Sequence, residues 1–297
     1  MEKKVGFVGL GIMGRPMAKN LLKAGFSLVV YDLNKEAVED VVKAGAASAH
    51  SSREVAQRTE VIIVMVPDSP EVKEVVLGKD GVLEGANPGS LVIDMSSINP
   101  LVSQEIAREL KKKEVDMLDA PVSGGEPGAV QGTLAIMVGG EEGIFKECLK
   151  VFEAMGKNIV YVGPIGAGGV TKLVNQIIVA LNIAAVGEAF TLGVKAGLDP
   201  QTIFQAIRGG LAGSTVLEAK APMIIGRNFK PGFKIKLHHK DLNNALTTAK
   251  DVGVPLPLTS LVQQIVVSLI IDGKGENDHS AIATFFEKMA RVEIQSR

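Results

Sequence analysis

Apolar positions along this chain follow two regimes that meet near residue 163. Before that point, short apolar runs alternate with segments whose apolar residues recur every three to four positions. The runs are Val5 to Val8, Leu28 to Tyr31, Val61 to Val66, Leu91 to Asp94, Val115 to Leu118, Leu134 to Val138 and Ile159 to Val162. Strands covered by helices on both faces are apolar on both, so this alternation predicts a mostly parallel, doubly wound sheet. The stretch Gly163-Pro164-Ile165-Gly166-Ala167-Gly168-Gly169 then places five glycines or prolines in seven positions and predicts a domain boundary.

Beyond it the helical period takes over. Val170, Leu173, Val174, Ile177, Ile178 and Leu181 fall at i, i+3, i+4, i+7, i+8 and i+11, the spacing of one helix face. Asp199-Pro200 reads as a helix start with Asp as cap and Pro at the first position, a further helix is expected near Lys240, and Gly209-Gly210 and Gly253 read as helix ends. The expected architecture is an α/β Rossmann domain over residues 1–163, joined by a long helix to an all-α domain over residues 164–297.

On the helix beginning near Val170, a turn of about 100° per residue sets Lys172 and Asn175 side by side, opposite the apolar stripe. Further along, the same face carries Val179, Ile183, Val186 and Phe190, so the helix becomes apolar all round, as a buried helix is. Lys172 is therefore placed either as a proton donor at the mouth of an enclosed site or as a lysine whose stem packs while its amine reaches water. The pattern alone leaves both open.

Composition narrows the classes. The 297 residues carry 32 Lys and Arg against 33 Asp and Glu, a formal net charge of −1, with the signs interspersed. No basic face exists to drive binding to nucleic acid or to a membrane surface. The single cysteine, Cys148, cannot form an intrachain disulfide and reads as a small apolar residue or an inert thiol. Met-Glu-Lys-Lys leads directly into the first strand, and its apolar stretch is too short for a signal segment or a membrane span, so a cytoplasmic protein is expected.

The chemistry begins at the first turn. Gly9, Gly11 and Gly14 have G-x-G-x-x-G spacing, directly after a strand and before a helix, and Asp32 ends the second strand about twenty residues on. In such a loop the first glycine makes the turn, the second admits the pyrophosphate, and the third lets helix and strand pack closely. A dinucleotide site is expected. A second cluster, Asp119-Ala120-Pro121-Val122-Ser123-Gly124-Gly125, follows the strand Val115 to Leu118. Ligands in open parallel sheets bind beyond the carboxyl ends of strands, and a Ser-Gly-Gly turn offers N–H groups and a hydroxyl to a small carboxylate, although an ordinary tight turn has the same sequence. The turn Asp94-Met95-Ser96-Ser97 is placed to let a hydroxyl reach the nicotinamide ribose. His238 and His239 are adjacent on a helix and point about 100° apart, no Cys/His/Asp group has zinc spacing, and no G-x-S-x-G elbow is present, so neither a metal nor a serine nucleophile is expected.

Taken together, Gly6 to Gly14 with Pro16-Met17, Asp119 to Gly125, Gly166-Ala167-Gly168 through Lys172 and Asn175, and Lys240-Asp241-Leu242 make the chain resemble the β-hydroxyacid dehydrogenase family over essentially its full length. Within it, Gly209 to Leu217 and Asn228 to Phe233 are most similar to the subgroup that reduces tartronate semialdehyde, 2-hydroxy-3-oxopropionate. The resemblance implies an NAD(P)-dependent oxidoreductase that moves a hydride between nicotinamide and a small hydroxy acid or semialdehyde. It implies Lys172 as the acid/base, Asn175 as a substrate contact, and Ser123, Gly124 and Gly125 as the receiver of the substrate carboxylate. For the cofactor it implies Gly9, Leu10, Gly11, Ile12, Met13 and Gly14, with Asp32, Val66, Pro67, Ser97 and, from the helical domain, Lys240. It also implies a homodimer or homotetramer.

Departures from related families matter as well. The family of 6-phosphogluconate dehydrogenase has a histidine beside the lysine, where this chain has Leu173-Val174-Asn175-Gln176, so decarboxylation is not expected; imine reductases usually lack the lysine. Close relatives often place an arginine after the aspartate that ends strand two. Here that position is Leu33, and an Asp32 carboxylate without such a partner repels a 2′-phosphate, so NAD is expected over NADP.

Overall fold

The structure is a computed structural model that describes residues 4–296. The chain divides into two compact units, one ending at Lys172 and one beginning at Leu173.

In the first unit, nine strands form one sheet among the described residues: β1 (Val5–Val8), β2 (Leu28–Tyr31), β3 (Ala47–Ser48), β4 (Val61–Val64), β5 (Leu91–Asp94), β6 (Asp116–Asp119), β7 (Val122–Ser123), β8 (Leu134–Gly139) and β9 (Gly156–Gly163). Their order is β3-β2-β1-β4-β5-β6-β8-β7, with β9 beside β8. The helices between them are α1 (Gly14–Lys23), α2 (Lys35–Lys43), α3 (Ser52–Arg58), α4 (Ser69–Leu77), α5 (Val82–Gly85), α6 (Pro100–Lys111), α7 (Gly125–Gln131), α8 (Glu142–Glu147) and α9 (Leu149–Glu153). The first six strands are all parallel in the order 3-2-1-4-5-6, the doubly wound arrangement that the alternating pattern predicts. Chain direction across the sheet reverses between β1 and β4, which puts the glycine loop after β1 at the topological switch point.

Successive residues of a strand face opposite sides, and the two cores follow that alternation. Phe7 and Ile63 lie with Met17, Leu21 and Phe152 on one side, whereas Val8, Ile62 and Val64 lie with Val55, Val72 and Ile106 on the other. The strand expected over Val61 to Val66 ends at Val64, which leaves Val66 and Pro67 in the following loop. Strand β7 has no counterpart in the expected pattern. It pairs antiparallel with β8 because the connection from Ser123 to Leu134 is shorter than the dozen or so residues that a parallel crossover needs.

The second unit is helical, built from most of α10 (Ala167–Lys195), then α11 (Pro200–Ile207), α12 (Thr215–Ile225), α13 (Ile235–Val252), α14 (Pro257–Ile271) and α15 (Ala283–Ala290), with a 3-10 turn at His279–Ile282. Asp199 caps α11 through the Thr202 N–H, Pro200 follows it, and Gly253 ends α13 in the left-handed region at φ 74°. The helix expected near Lys240 starts earlier, at Ile235.

α10 corrects the reading of its faces. The apolar stripe is split rather than buried, with Val170, Val174 and Ile178 open to solvent, Ile177 and Leu181 half-buried and Leu173 buried, while Lys172, Gln176, Ala180, Ile183 and Phe190 are buried on the other side. A helix that is apolar all round has no periodic preference, so its neighbours decide the face; Ala180, Ile183 and Ala184 pack with Ile235, Leu242, Val262 and Val266 of α13 and α14. By length and composition α10 could cross a bilayer, but this packing makes it the core helix of its unit. Cys148 is buried in the apolar core of the first unit.

Candidate active site

The loop after β1 is shaped by close backbone approach. Gly9 has φ +95°, and a Cβ there would collide with the Met65 carbonyl at the end of β4. A Cβ on Gly14 would meet the Gly9 carbonyl oxygen and come within 3.1 Å of the Phe7 ring. Gly11, by contrast, has no heavy atom within 4 Å of its Cβ position and is exposed, as are Ile12 and the loop edge. No side chain caps the N-terminus of α1. An uncapped helix N-terminus behind an open glycine turn suits a pyrophosphate, so the residues present fit a dinucleotide.

Asp32 stands beside this loop. One carboxylate oxygen accepts the Leu10 N–H at 2.5 Å and the other the Asn34 N–H at 2.7 Å. These bonds hold the carboxylate at the loop edge and leave it further lone pairs for ribose hydroxyls. Asn34 in turn caps α2, accepting from Glu36 N–H at 3.0 Å and Ala37 N–H at 3.3 Å, so two of the first-turn donors of α2 are already used. Across the switch point, the Val66 N–H donates to the Ser96 hydroxyl at 3.0 Å and locks the β4 loop to the β5 loop. Pro67 is exposed and Ser97 half-buried beside that lock.

The Ser123-Gly124-Gly125 turn ends β7 and opens α7. Gly124 at φ +133° and Gly125 at φ +60° both occupy the half of backbone space that favours glycine, which gives the pair a geometric reason independent of any ligand. Asn20 of α1 donates to the Ala129 carbonyl at 2.7 Å and ties α7 to the helix behind the glycine loop. No sequence signal marks Asn20 or Ser96 for these roles, since each acts across a long separation.

Lys172 lies in the second turn of α10 and is only 7 % exposed. Burial of this extent separates it from an ordinary solvent-reaching lysine. The start of its helix is tied to Asp119, whose carboxylate accepts from Gly166 N–H at 2.8 Å and Gly169 N–H at 2.7 Å.

Asn175, one turn further along α10, belongs to a polar chain within the second unit. Its amide donates to Gln176 Oε1 at 2.8 Å, Gln176 Nε2 donates to Asp241 at 2.5 Å, and Lys240 is ion-paired with Asp241 at 3.1 Å. Gln176 and Asp241 are both buried, and no sequence signal marks either for this role. His238 lies in the same region, its Nε2 3.1 Å from the Gln176 carbonyl and its Nδ1 2.9 Å from Nδ1 of His279. Among the described residues no group of three His, Cys, Asp or Glu side chains is arranged to hold a metal.

Residues 4–163 match the family model described as the NAD binding domain of 6-phosphogluconate dehydrogenase, and residues 166–286 match the one described as NAD-binding of NADP-dependent 3-hydroxyisobutyrate dehydrogenase. The chain belongs to the NAD(P)-dependent β-hydroxyacid dehydrogenase family. Among relatives, it is 46% identical to 2-hydroxy-3-oxopropionate reductase of Escherichia coli (strain K12) over 98% of this chain and 99% of that one. It is 40% identical to 2-(hydroxymethyl)glutarate dehydrogenase of Eubacterium barkeri, over 99% of each chain. Among solved structures, 3-hydroxyisobutyrate dehydrogenase of Mycobacterium tuberculosis with L-serine superimposes at a TM-score of 0.88, with 33% identity over 96% of this chain and 99% of that one. As a β-hydroxyacid dehydrogenase the protein is an oxidoreductase that uses a nicotinamide cofactor on a small molecule. The relatives differ in substrate while sharing the fold, so the family alone does not select the hydroxy acid.

Proposed function

We propose that the protein reduces tartronate semialdehyde to glycerate with NADH, with Lys172 as the acid/base and the Ser123-Gly124-Gly125 turn as receiver of the substrate carboxylate. The observation that carries the reading is the burial of Lys172, on a helix whose first turn is bonded to the loop that leads into Ser123. The 46% identity to a 2-hydroxy-3-oxopropionate reductase supports this choice of substrate among the family's hydroxy acids.

Bound nicotinamide supplies or accepts the hydride. During reduction, negative charge grows on the substrate carbonyl oxygen, and the Lys172 ammonium stabilises it and delivers the proton. In oxidation the same amine, neutral, takes the hydroxyl proton. Ser123 and the N–H groups of Gly124 and Gly125 hold the substrate carboxylate away from the reacting carbon, and Asn175 orients the intervening hydroxyl. Gly9 to Gly14 carry the pyrophosphate, Asp32 the adenosine ribose, and Val66, Pro67, Ser97 and Lys240 contact the remainder of the cofactor.

The preference for NAD rests on the segment after β2. The Glu36 and Ala37 N–H groups of α2 are occupied by Asn34, Leu33 is 88% exposed and offers nothing to a phosphate, and Glu36 adds a further negative charge. We further propose a homodimer or homotetramer, supported by the exposed apolar stripe Val170, Val174 and Ile178 on α10. The test is NAD(P)H oxidation with tartronate, succinic and methylmalonic semialdehydes, glyoxylate and 2-formylglutarate, the aldehyde corresponding to 2-(hydroxymethyl)glutarate. The highest kcat/KM is expected for tartronate semialdehyde with NADH. A higher value for another of these aldehydes moves the assignment to that sibling activity, and turnover of none overturns it.

A further inference from the structure

The start of α10 is held in an unusual way. Helices normally satisfy their first N–H groups with a nearby Ser, Thr, Asp or Asn. Here the segment before the helix is Gly163-Pro164-Ile165-Gly166, which has no such side chain. The cap comes instead from Asp119 at the end of β6, 47 and 50 residues away in sequence, with one oxygen on Gly166 N–H at 2.8 Å and the other on Gly169 N–H at 2.7 Å. Both carboxylate oxygens are thus committed to one helix turn, and the side chain is 1% exposed.

The surrounding backbone is packed to match. A Cβ on Gly168 would collide with the Asp119 and Met137 carbonyls, and one on Gly139 of β8 would collide with the Asp119 carboxylate and come within 2.8 Å of both Gly168 N and Pro164 O. Asp119 and Gly139 are also the single register pair between β6 and β8. The turn of α10 that precedes Lys172 is thereby seated on the ends of two strands, with no slack for a side chain between them.

We infer that Asp119 is a positioning residue, which caps α10 from outside the helix and so ties the placement of Lys172 to the loop that carries Ser123. Three residues separate Asp119 from Ser123, and about one helical turn separates Gly169 from Lys172. A shift at this carboxylate therefore moves the proton donor and the carboxylate receiver together. The inference rests on the acid/base reading of Lys172 given above.

Burial pushes the Asp119 carboxyl up to about 6 even though the Gly169 and Gly166 N–H bonds act in the opposite direction, so the fold disfavours the charge that it nevertheless keeps. The buried titratable groups on the elements packed against it are Asp94, its register partner on β5, and Lys172 itself; α6 adds Glu105, Arg108, Glu109 and Lys111, none of them buried, and β8 and residues 163–170 add none. Protonation of Asp119 removes an acceptor from the turn and should loosen the cap.

The test combines Asp119→Asn, Lys172→Ala and the double variant, with kcat, cofactor affinity from NADH fluorescence, thermal melts and pH profiles. Asparagine keeps the shape but opposes an N–H donor with its own NH2. Asp119→Asn should lower kcat by about tenfold to a hundredfold, the scale of a small misplacement of a catalytic group, while cofactor affinity stays within about twofold. The wild-type kcat should fall on the acid side with a midpoint near pH 6, and the variant should lack that limb. The double variant should be no slower than Lys172→Ala, because the aspartate acts through the lysine. A slow Lys172→Ala beside an Asp119→Asn of wild-type kcat, or additive losses in the double variant, would overturn this inference alone. Wild-type kcat in Lys172→Ala would overturn the acid/base reading and this inference with it. Should Asp119→Asn fail to fold by its melt, the wild-type profile decides: a limb near pH 6 that Lys172→Ala lacks supports the inference, and a kcat flat to pH 5 refutes it.

Discussion

Gln176 donates its side-chain N–H to the carboxylate of Asp241 at 2.5 Å, a bond between two buried side chains 65 residues apart. The same glutamine accepts from Asn175, and the same aspartate pairs with Lys240, so four side chains of the second unit form one polar chain. Hydrogen bonds between buried groups cost most when one partner is removed, because the other is left without compensation. Gln176→Ala is therefore expected to remove one hydrogen-bond partner of Asn175 and leave Asp241 short of a donor. With Asn175 in its proposed role, KM for the semialdehyde should rise about tenfold, with cofactor affinity less affected. Steady-state kinetics over both ligands checks this; equal effects on both would assign Gln176 to general packing.

Lys172→Ala should lower kcat by about 10²- to 10⁴-fold, the usual scale for a positioned general acid, with cofactor affinity nearly unchanged. Near-normal turnover would remove Lys172 from the chemistry.

Ser123→Ala tests the carboxylate receiver. Loss of a donor to a charged acceptor costs about 1.5–3 kcal/mol, so KM should rise by roughly tenfold or more for a semialdehyde acid and much less for an aldehyde that lacks the carboxylate. The comparison between the two substrates is the measurement, since a structural role would affect both alike.

The cofactor segment gives a gain-of-function test. NADH is expected to exceed NADPH by at least about tenfold in kcat/KM, roughly 1.4 kcal/mol, because Asp32 repels a 2′-phosphate and Asn34 has used two of the first-turn α2 donors. Leu33→Arg adds a side chain able to pair with that phosphate and should narrow the ratio mainly by raising kcat/KM for NADPH. Equal use of both cofactors by the unaltered protein would show that Asp32 turns away.

Acid stability should depend on Asp278. This carboxylate is wholly buried, accepts from Gly232, Phe233 and Ser280 N–H, and pairs with Lys220 at 3.0 Å. Burial opposes its ionisation, but His279, Lys220 and these N–H donors outweigh it and hold the carboxyl down at about 2, below its ordinary 3.8. A carboxyl whose folded value is depressed contributes stability above the unfolded value and loses it as pH falls through the folded one, here between about pH 4 and 2, a contribution of about 2 kcal/mol. Asp278→Asn should destabilise the protein at pH 7 by a few kcal/mol, since Lys220 and the N–H donors lose their charged partner, and should flatten the acid limb of urea-melt stability. An unchanged limb would assign the acid sensitivity elsewhere.

Local rules make the nucleotide half of the molecule legible in the sequence. Gly9, Gly11, Gly14 and Asp32 lie within one strand-turn-helix-strand unit, where spacing and backbone sterics act over short distances, and the alternation of apolar runs prescribes a parallel sheet because each strand must be covered on both faces. Helix starts such as Asp199-Pro200 are local as well. The faces of α10 are not legible in this way: apolar residues surround it, so periodicity carries no direction, and only packing on α13 and α14 determines that Ala180 and Ile183 are buried while Val174 and Ile178 are exposed. Asp119 can be named from sequence as part of a turn, but not as the cap of a helix 47 residues later, and Gln176 gives no sign of Asp241. A hydrogen bond or a register pair between distant segments depends on where the chain returns in space. That return is set by the sheet order and the helix packing as a whole, so the elements and the nucleotide loop are written in the sequence, while the connections that hold the candidate site come from tertiary structure.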